Sequence, residues 1–276
     1  MNVRELLREF DLHPRKELGQ NFLLAEGILR KILAAAEVGP EDTVLEVGAG
    51  PGTLTRLLAE RAGRVVAIEL DSGLAKVLAH TLRAYHNVEI VEGDILALEP
   101  ARLVAPAATY KVVANLPYYI TSAALRHLLE AEIRPRLMVV TVQYEVAQRL
   151  LARPGEMSLL AVSVQFYGRP KLVARVPAGA FYPRPDVDSA IVRVDLHPTL
   201  PLSGDDLERF FTLVRAGFAQ KRKQLRNSLA ARLALPALEM EAALRQAGID
   251  PKRRPQSLSL EEWKRLYQAL QEARQL

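Results

Sequence analysis

The chain has 276 residues, 49% of them hydrophobic and 25% charged, with a formal net charge of +5. That length and balance support a real hydrophobic core in one large domain, or one large and one small, and exclude a disordered, fibrous or staple-dependent fold. Cysteine is absent, which excludes disulfide frameworks, thiol nucleophiles and cysteine zinc sites, and the histidines show no ligand-like spacing.

No apolar run approaches the roughly 18 residues of a membrane span. The start, "MNVRELLREFDLHPRKELGQ", has no signal-peptide core, so a cytoplasmic protein without membrane association is expected. The first forty residues read as helix and loop, with "EGILRKILAAAE" apolar at helical spacing. Then the pattern changes. "TVLEV", "RVVAIEL", "VEIVEG" and "YKVVANL" are short strand-like runs, separated by helix-like "GTLTRLLAERA" and "SGLAKVLAHTLRAY" and a longer connection. Helix-like "SAALRHLLEAE" then leads into a fifth strand in "RPRLMVVTVQ".

This alternation predicts βαβ units, hence a mostly parallel sheet with helices on both faces. "PKLVARV" and "DSAIVRVDL" leave no room for a crossover helix and are expected to pair antiparallel at one sheet edge. Beyond "HPTLPLSGDD" the chain turns helical, and Pro198, Pro201 and Gly204 mark a boundary near residue 200. The expectation is an α/β domain over residues 1–200 and a small all-α domain over 201–276.

Charge divides along the same line. Residues 201–276 hold 14 Lys and Arg against 9 Asp and Glu, whereas residues 1–200 hold 23 of each. Within the tail, "FAQKRKQLRNSLAARL" gathers Lys221, Arg222, Lys223 and Arg226, a cluster suited to neutralising phosphates. A solvated helix face is the ordinary alternative for such a run.

"VLEVGAGPGTLT" reads as a strand, a turn with Gly48, Gly50 and Gly52, and a helix start. Glycines let the backbone fold sharply and approach a ligand at the carboxyl edge of a parallel sheet. Glu69 ends the next strand, where a carboxylate can accept from two ribose hydroxyls; Asp94 follows the third strand, within reach of an adenine amino group, with Ile95 as an apolar surface. Together these suggest an adenosine-containing cofactor. A dinucleotide-binding dehydrogenase also wants a glycine turn and a later acid, but spaced G-x-G-x-x-G, where this chain reads G-A-G-P-G.

The fourth strand ends in "ANLPYYIT", with an amide that a core would not want. At the same sheet edge, Asn115 can offer its side-chain oxygen and Leu116 its carbonyl to an incoming amino group. Two such acceptors orient an exocyclic amine so that its lone pair is aimed at the donor. Pro117 stiffens the turn, and Tyr118 supplies a flat face on which a base can stack.

"NLPY" resembles the (D/N)-P-P-(Y/F) motif of methyltransferases that alkylate exocyclic amino groups using S-adenosylmethionine. With "LGQNFL", "EVGAGPGTLT", "AIELD", "GDIL", "FYPRPDVDSA" and "KRKQLRN", the resemblance runs over nearly the whole chain to the small-subunit ribosomal RNA adenine N6,N6-dimethyltransferases. It implies a Rossmann-like class I methyltransferase fold followed by a helical RNA-binding domain. It also implies that Gln20, Asn21, Leu23 and Leu70 join Gly48, Gly50, Glu69, Asp94, Ile95 and Asn115 around the cofactor, and that Phe181 covers the target adenine opposite Tyr118. Read without the family, "QNFL" is a turn before a helix and Phe181 an aromatic between prolines.

The implied reaction is dimethylation of two adjacent adenosines near the 3′ end of 16S RNA, in a pre-30S particle, by a monomer that needs no metal. The large-subunit dimethyltransferases share the cofactor motifs, and a non-enzymatic RNA-binding assembly or transcription factor on the same fold is the rival of another class.

Overall fold

In the computed structural model, which describes residues 2–220 and 222–273, the chain opens with helix α1 (Val3–Glu9), a two-residue strand β1 (Phe22–Leu23) and helix α2 (Glu26–Ala36). Four strand-helix repeats follow: β2 (Thr43–Val47) with α3 (Thr53–Ala59), β3 (Arg64–Glu69) with α4 (Ser72–Thr81), β4 (Val88–Glu92) with α5 (Pro100–Val104), and β5 (Lys111–Asn115) with α6 (Thr121–Leu129). Next come β6 (Leu137–Gln143), α7 (Tyr144–Leu150), α8 (Leu159–Tyr167), β7 (Gly168–Val176), β8 (Phe181–Tyr182) and β9 (Ser189–Leu196). Helices α9 (Gly204–Phe218), α10 (Leu225–Leu233), α11 (Ala237–Gln246) and α12 (Leu260–Glu272) complete it.

The main sheet runs β4-β3-β2-β5-β6-β9-β7. Its first five members are parallel, β9 is antiparallel to both β6 and β7, and so the expected antiparallel pair stands at the edge. Val44, Val66, Val112 and Val140 are fully buried, as a parallel sheet covered on both faces requires. One face is closed by α2, whose Leu29, Ile32, Leu33 and Ala36 pack in one cluster with Val44, Val113, Val139 and Ile191.

β2 has β3 on one side and β5 on the other. The chain therefore leaves β2 in one direction and later returns to its opposite side, which opens a crevice at the carboxyl ends of β2 and β5. A separate two-stranded sheet pairs β1 with β8 antiparallel, Phe22 opposite Tyr182 and Leu23 opposite Phe181.

Two units result: Met1–Ala147 with Gly168–His197, and Gln148–Tyr167 with Pro198–Leu276. The second thus takes in α8, which the expected division at residue 200 leaves in the first. The cause is aromatic packing within the second unit: Phe166 stacks on Phe210 at 5.0 Å and meets Phe211 edge-on at 5.2 Å, while Tyr167 stacks on Phe211 at 5.8 Å. A run as apolar as "LLAVSVQFY" needs burial, and those rings cover its Phe166 and Tyr167.

Candidate active site

Gly48 and Gly50 hold positive φ values of 72° and 58°. A Cβ would stand 3.2 Å from Pro117 Cδ at the first and 3.2 Å from Phe22 Cδ1 at the second. Both conformation and close approach therefore demand glycine. The turn, the ends of β3, β4 and β5, and the 18–22 segment enclose a cleft of about 690 Å³.

Gln20, Asn21, Gly48, Gly50, Glu69, Leu70, Asp94, Ile95 and Asn115 all border this cleft, as do Leu116, Pro117 and Tyr118. Glu69 is 6% exposed; its Oε2 accepts from the Gly50 N–H at 2.7 Å and its Oε1 from the Asp71 N–H at 2.9 Å. Burial raises its pKa, and those N–H bonds pull the other way. The acid is thus fixed in direction, each oxygen retaining a lone pair. Asp94 Oδ1 accepts from the Leu96 N–H at 2.9 Å, and Ile95 is a buried apolar wall.

Asn115 is the central group. Its Nδ2 donates to the Asn21 carbonyl at 3.0 Å, while its buried Oδ1 has no hydrogen-bond partner among the described residues. Only the nitrogen can donate to that carbonyl, so the amide's orientation follows from the bond and its oxygen is left as an acceptor. An unmet buried acceptor is costly, and this one belongs to a side chain that borders the cleft. The Leu116 N–H is pinned to the Thr141 carbonyl at 3.2 Å.

Tyr118 stands beside it, its hydroxyl 2.6 Å from Ser189 Oγ. Burial raises the phenol's pKa against that bond, so the ring stays neutral. Tyr118 also borders a second cleft of about 980 Å³, which shares Gly19, Gln20 and Asn21 with the first and is closed by Gln143 and residues 183–187. The two clefts meet at Tyr118.

Leu23 and Phe181 border neither cleft. They face each other across β1 and β8 and are 4% and 5% exposed within the apolar cluster beneath the sheet. Alternation along a strand is the reason: Phe22 goes to the cleft, so Leu23 goes to the core, and Phe181 follows its partner. Phe22 borders the cleft in Leu23's place, and its position in "QNFL" carries the same signal one residue earlier.

Glu46 was also missed. It lies on β2 just before the glycine turn, is 1% exposed, and its Oε2 has no partner among the described residues. Burial pushes it up to about 8, against the Thr55 hydroxyl and with a push from Glu69. Its folded pKa exceeds the ordinary 4.5, so the stability linked to it is complete below about pH 4.5 and is lost as pH rises toward 8. Glu46→Gln is expected to remove this decline, about 1.4 kcal/mol per pH unit at most. Melting temperatures measured from pH 5 to pH 8 check it: the variant's advantage should grow with pH.

In the second unit, Arg222 and Lys223 are exposed, but in the turn between α9 and α10 rather than on a helix. Lys221 lies outside the described residues. Arg226 is less available, its guanidinium pairing with Glu241 at 2.7 Å. Beside this turn lies another that the sequence reasoning missed: the Leu225 N–H donates to the Arg253 carbonyl at 2.8 Å, bringing exposed Lys252 and Arg254 to the same place.

The model of the ribosomal RNA adenine dimethylase family matches residues 12–272. A ribosomal RNA small subunit methyltransferase A from Dehalococcoides mccartyi is 51% identical over 264 residues, covering 96% of this chain and 91% of its own. A dimethyladenosine transferase from Plasmodium falciparum superposes with a TM-score of 0.78 at 26% identity, over 91% of this chain and 98% of that one. The 23S ribosomal RNA methyltransferase ErmE does so at 0.74 and 34% identity, over 91% and 100%. With a cleft at the sheet's switch point and a family match over residues 12–272, the chain belongs to the ribosomal RNA adenine dimethylases, which use S-adenosylmethionine.

Proposed function

We propose that the chain dimethylates N6 of two adjacent adenosines near the 3′ end of small-subunit ribosomal RNA, acting as a cytoplasmic monomer on an immature subunit. The observation that carries this reading is the unmet oxygen of Asn115, which borders the first cleft close in sequence to the neutral Tyr118 ring, where the two clefts meet. The likeness at 51% identity to a small-subunit enzyme favours that substrate over the large subunit.

The residues present fit S-adenosylmethionine. Gly48 and Gly50 let the turn pack against Pro117 and Phe22 at the cleft wall, Glu69 presents two oriented oxygens for ribose hydroxyls, and Asp94 with Ile95 suits an adenine edge and face. When bound, the cofactor supplies an electrophilic methyl on sulfonium sulfur. Tyr118 stacks the flipped adenine, whose extrusion from its helix such chemistry demands. Asn115 Oδ1 and the Leu116 carbonyl accept from N6, holding its lone pair toward the methyl. The proton then leaves to water. After one transfer N6 retains a hydrogen, which keeps Asn115 engaged for the second.

Unmodified small and large ribosomal subunits, each incubated with protein and cofactor and mapped by mass, test this. Dimethyladenosine is expected in the small subunit alone. Modification of the large subunit instead would select the other branch, and cofactor binding without transfer to either would favour a non-enzymatic factor.

The basic turns of the second unit are the proposed docking face for phosphates. Changing Arg222 and Lys223 together to Ala is expected to weaken RNA binding and make the slope of log affinity against log salt shallower by about 1.5. Titrations at several salt concentrations check it. Arg226→Ala should move that slope less, since Glu241 already holds its charge.

A further inference from the structure

Between α1 and β1 the chain passes along the cofactor cleft, and one carboxylate holds it there. Asp71, 5% exposed, accepts from Gln20 Nε2 at 3.1 Å through Oδ2, which also lies 3.3 Å from Arg15 Nη1. Its Oδ1 accepts from the N–H groups of Gly73 and Leu74 at 2.9 and 3.2 Å, capping α4. Its own N–H donates to Glu69 Oε1 at 2.9 Å.

Gln20 has no spare end. Its Oε1 accepts from the Arg15 N–H at 2.7 Å, so the amide closes the 15–20 loop on one side and grips Asp71 on the other. One residue later, the Asn21 carbonyl accepts from Asn115 Nδ2 at 3.0 Å. A continuous path of hydrogen bonds and one peptide link thus joins Glu69 to Asn115. Three N–H groups and a guanidinium converge on Asp71, which suits a group that only accepts.

We propose that Asp71 is a positioning residue: by gripping Gln20 it sets the 15–21 segment and so couples the acid at the ribose, Glu69, to the amide at the acceptor amine, Asn115. Neither Asp71 nor Gln20 needs to touch the reacting atoms. The assignment rests on the methyl-transfer reading above.

Reversing the polarity of the grip tests it. Asp71→Asn keeps an oxygen for the α4 cap, where asparagine serves as well as aspartate, but turns its amide donor toward the Gln20 donor. Gln20→Glu sets two carboxylates against each other. Combined, the two changes rebuild one N–H···O bond with donor and acceptor exchanged and leave a carboxylate, now at position 20, near the Arg15 guanidinium that shared Asp71 Oδ2, a double-mutant cycle on the Gln20–Asp71 pair. S-adenosylmethionine affinity by titration calorimetry needs no RNA; single-turnover and steady-state methyl transfer supply the second readout.

Each single variant is expected to lose about tenfold in cofactor affinity and in kcat, the scale of one charge-assisted hydrogen bond, with the KM for RNA within about twofold. The double variant should recover both to within about threefold. Gln20→Ala, which deletes the bond without introducing charge, should show the same losses. Single variants at wild-type level, or a double variant no better than the worse single, would overturn the coupling while leaving the function intact. A wild-type protein that binds no S-adenosylmethionine would overturn both.

Discussion

Asn115→Ala is expected to lower single-turnover methyl transfer by about 10²- to 10³-fold at saturating cofactor, the usual scale for deleting one preorganised polar group at a reacting centre. Affinity for S-adenosylmethionine should fall less than about tenfold. The asymmetry follows from geometry. The amide's nitrogen is spent on the Asn21 carbonyl at 3.0 Å, and its oxygen is the buried acceptor left open. Removing the side chain deletes the acceptor for N6 and also frees the 18–22 segment from its hold on β5. Asn115→Asp separates the two roles: it keeps an oxygen for the amine but opposes a carboxylate to the Asn21 carbonyl, so transfer should fall less than in the alanine variant. Quench-flow with a small RNA carrying the target loop, together with calorimetry, measures both quantities. Equal losses of turnover and cofactor affinity would move Asn115 from the acceptor amine to the cofactor.

Glu69→Gln is the second large effect, and it should appear in binding. Both carboxylate oxygens accept backbone N–H groups, Gly50 at 2.7 Å and Asp71 at 2.9 Å. An amide of the same shape can serve only one of them; its NH₂ faces the other donor to donor, in a place that is 6% exposed. The glycine turn loses its anchor and the ribose loses charged acceptors. Together these amount to about 2–3 kcal/mol, or roughly 30- to 150-fold in the dissociation constant for S-adenosylmethionine. Turnover at saturating cofactor should change by only a few fold. An unchanged dissociation constant would place the ribose elsewhere in the cleft.

The sheet, the glycine turn and the three acidic or amide strand ends could be read from the chain because each is a local signal. Strand and helix periodicities repeat within ten residues, and a positive φ at Gly48 is a property of one residue and its neighbours. Parallel strands joined by crossover helices bring Glu69, Asp94 and Asn115 to one carboxyl edge whatever the strand order.

Long-range contacts decided the rest. Which of Phe22 and Leu23 faces the cleft depends on the register of β1 against β8, and a single-residue shift would exchange them. That Asn21 orients Asn115 depends on a hydrogen bond between residues 94 apart in sequence. α8 joins the second unit because Phe210 and Phe211 lie there to cover it, and Arg226 is withdrawn from the basic face by Glu241, which only folding brings near. By itself the sequence determined the types of element and the chemistry at their ends, since short-range sterics and hydrophobic period govern those. Tertiary structure alone decided side-chain direction and partner, because these are fixed by registers and packings that no local window contains.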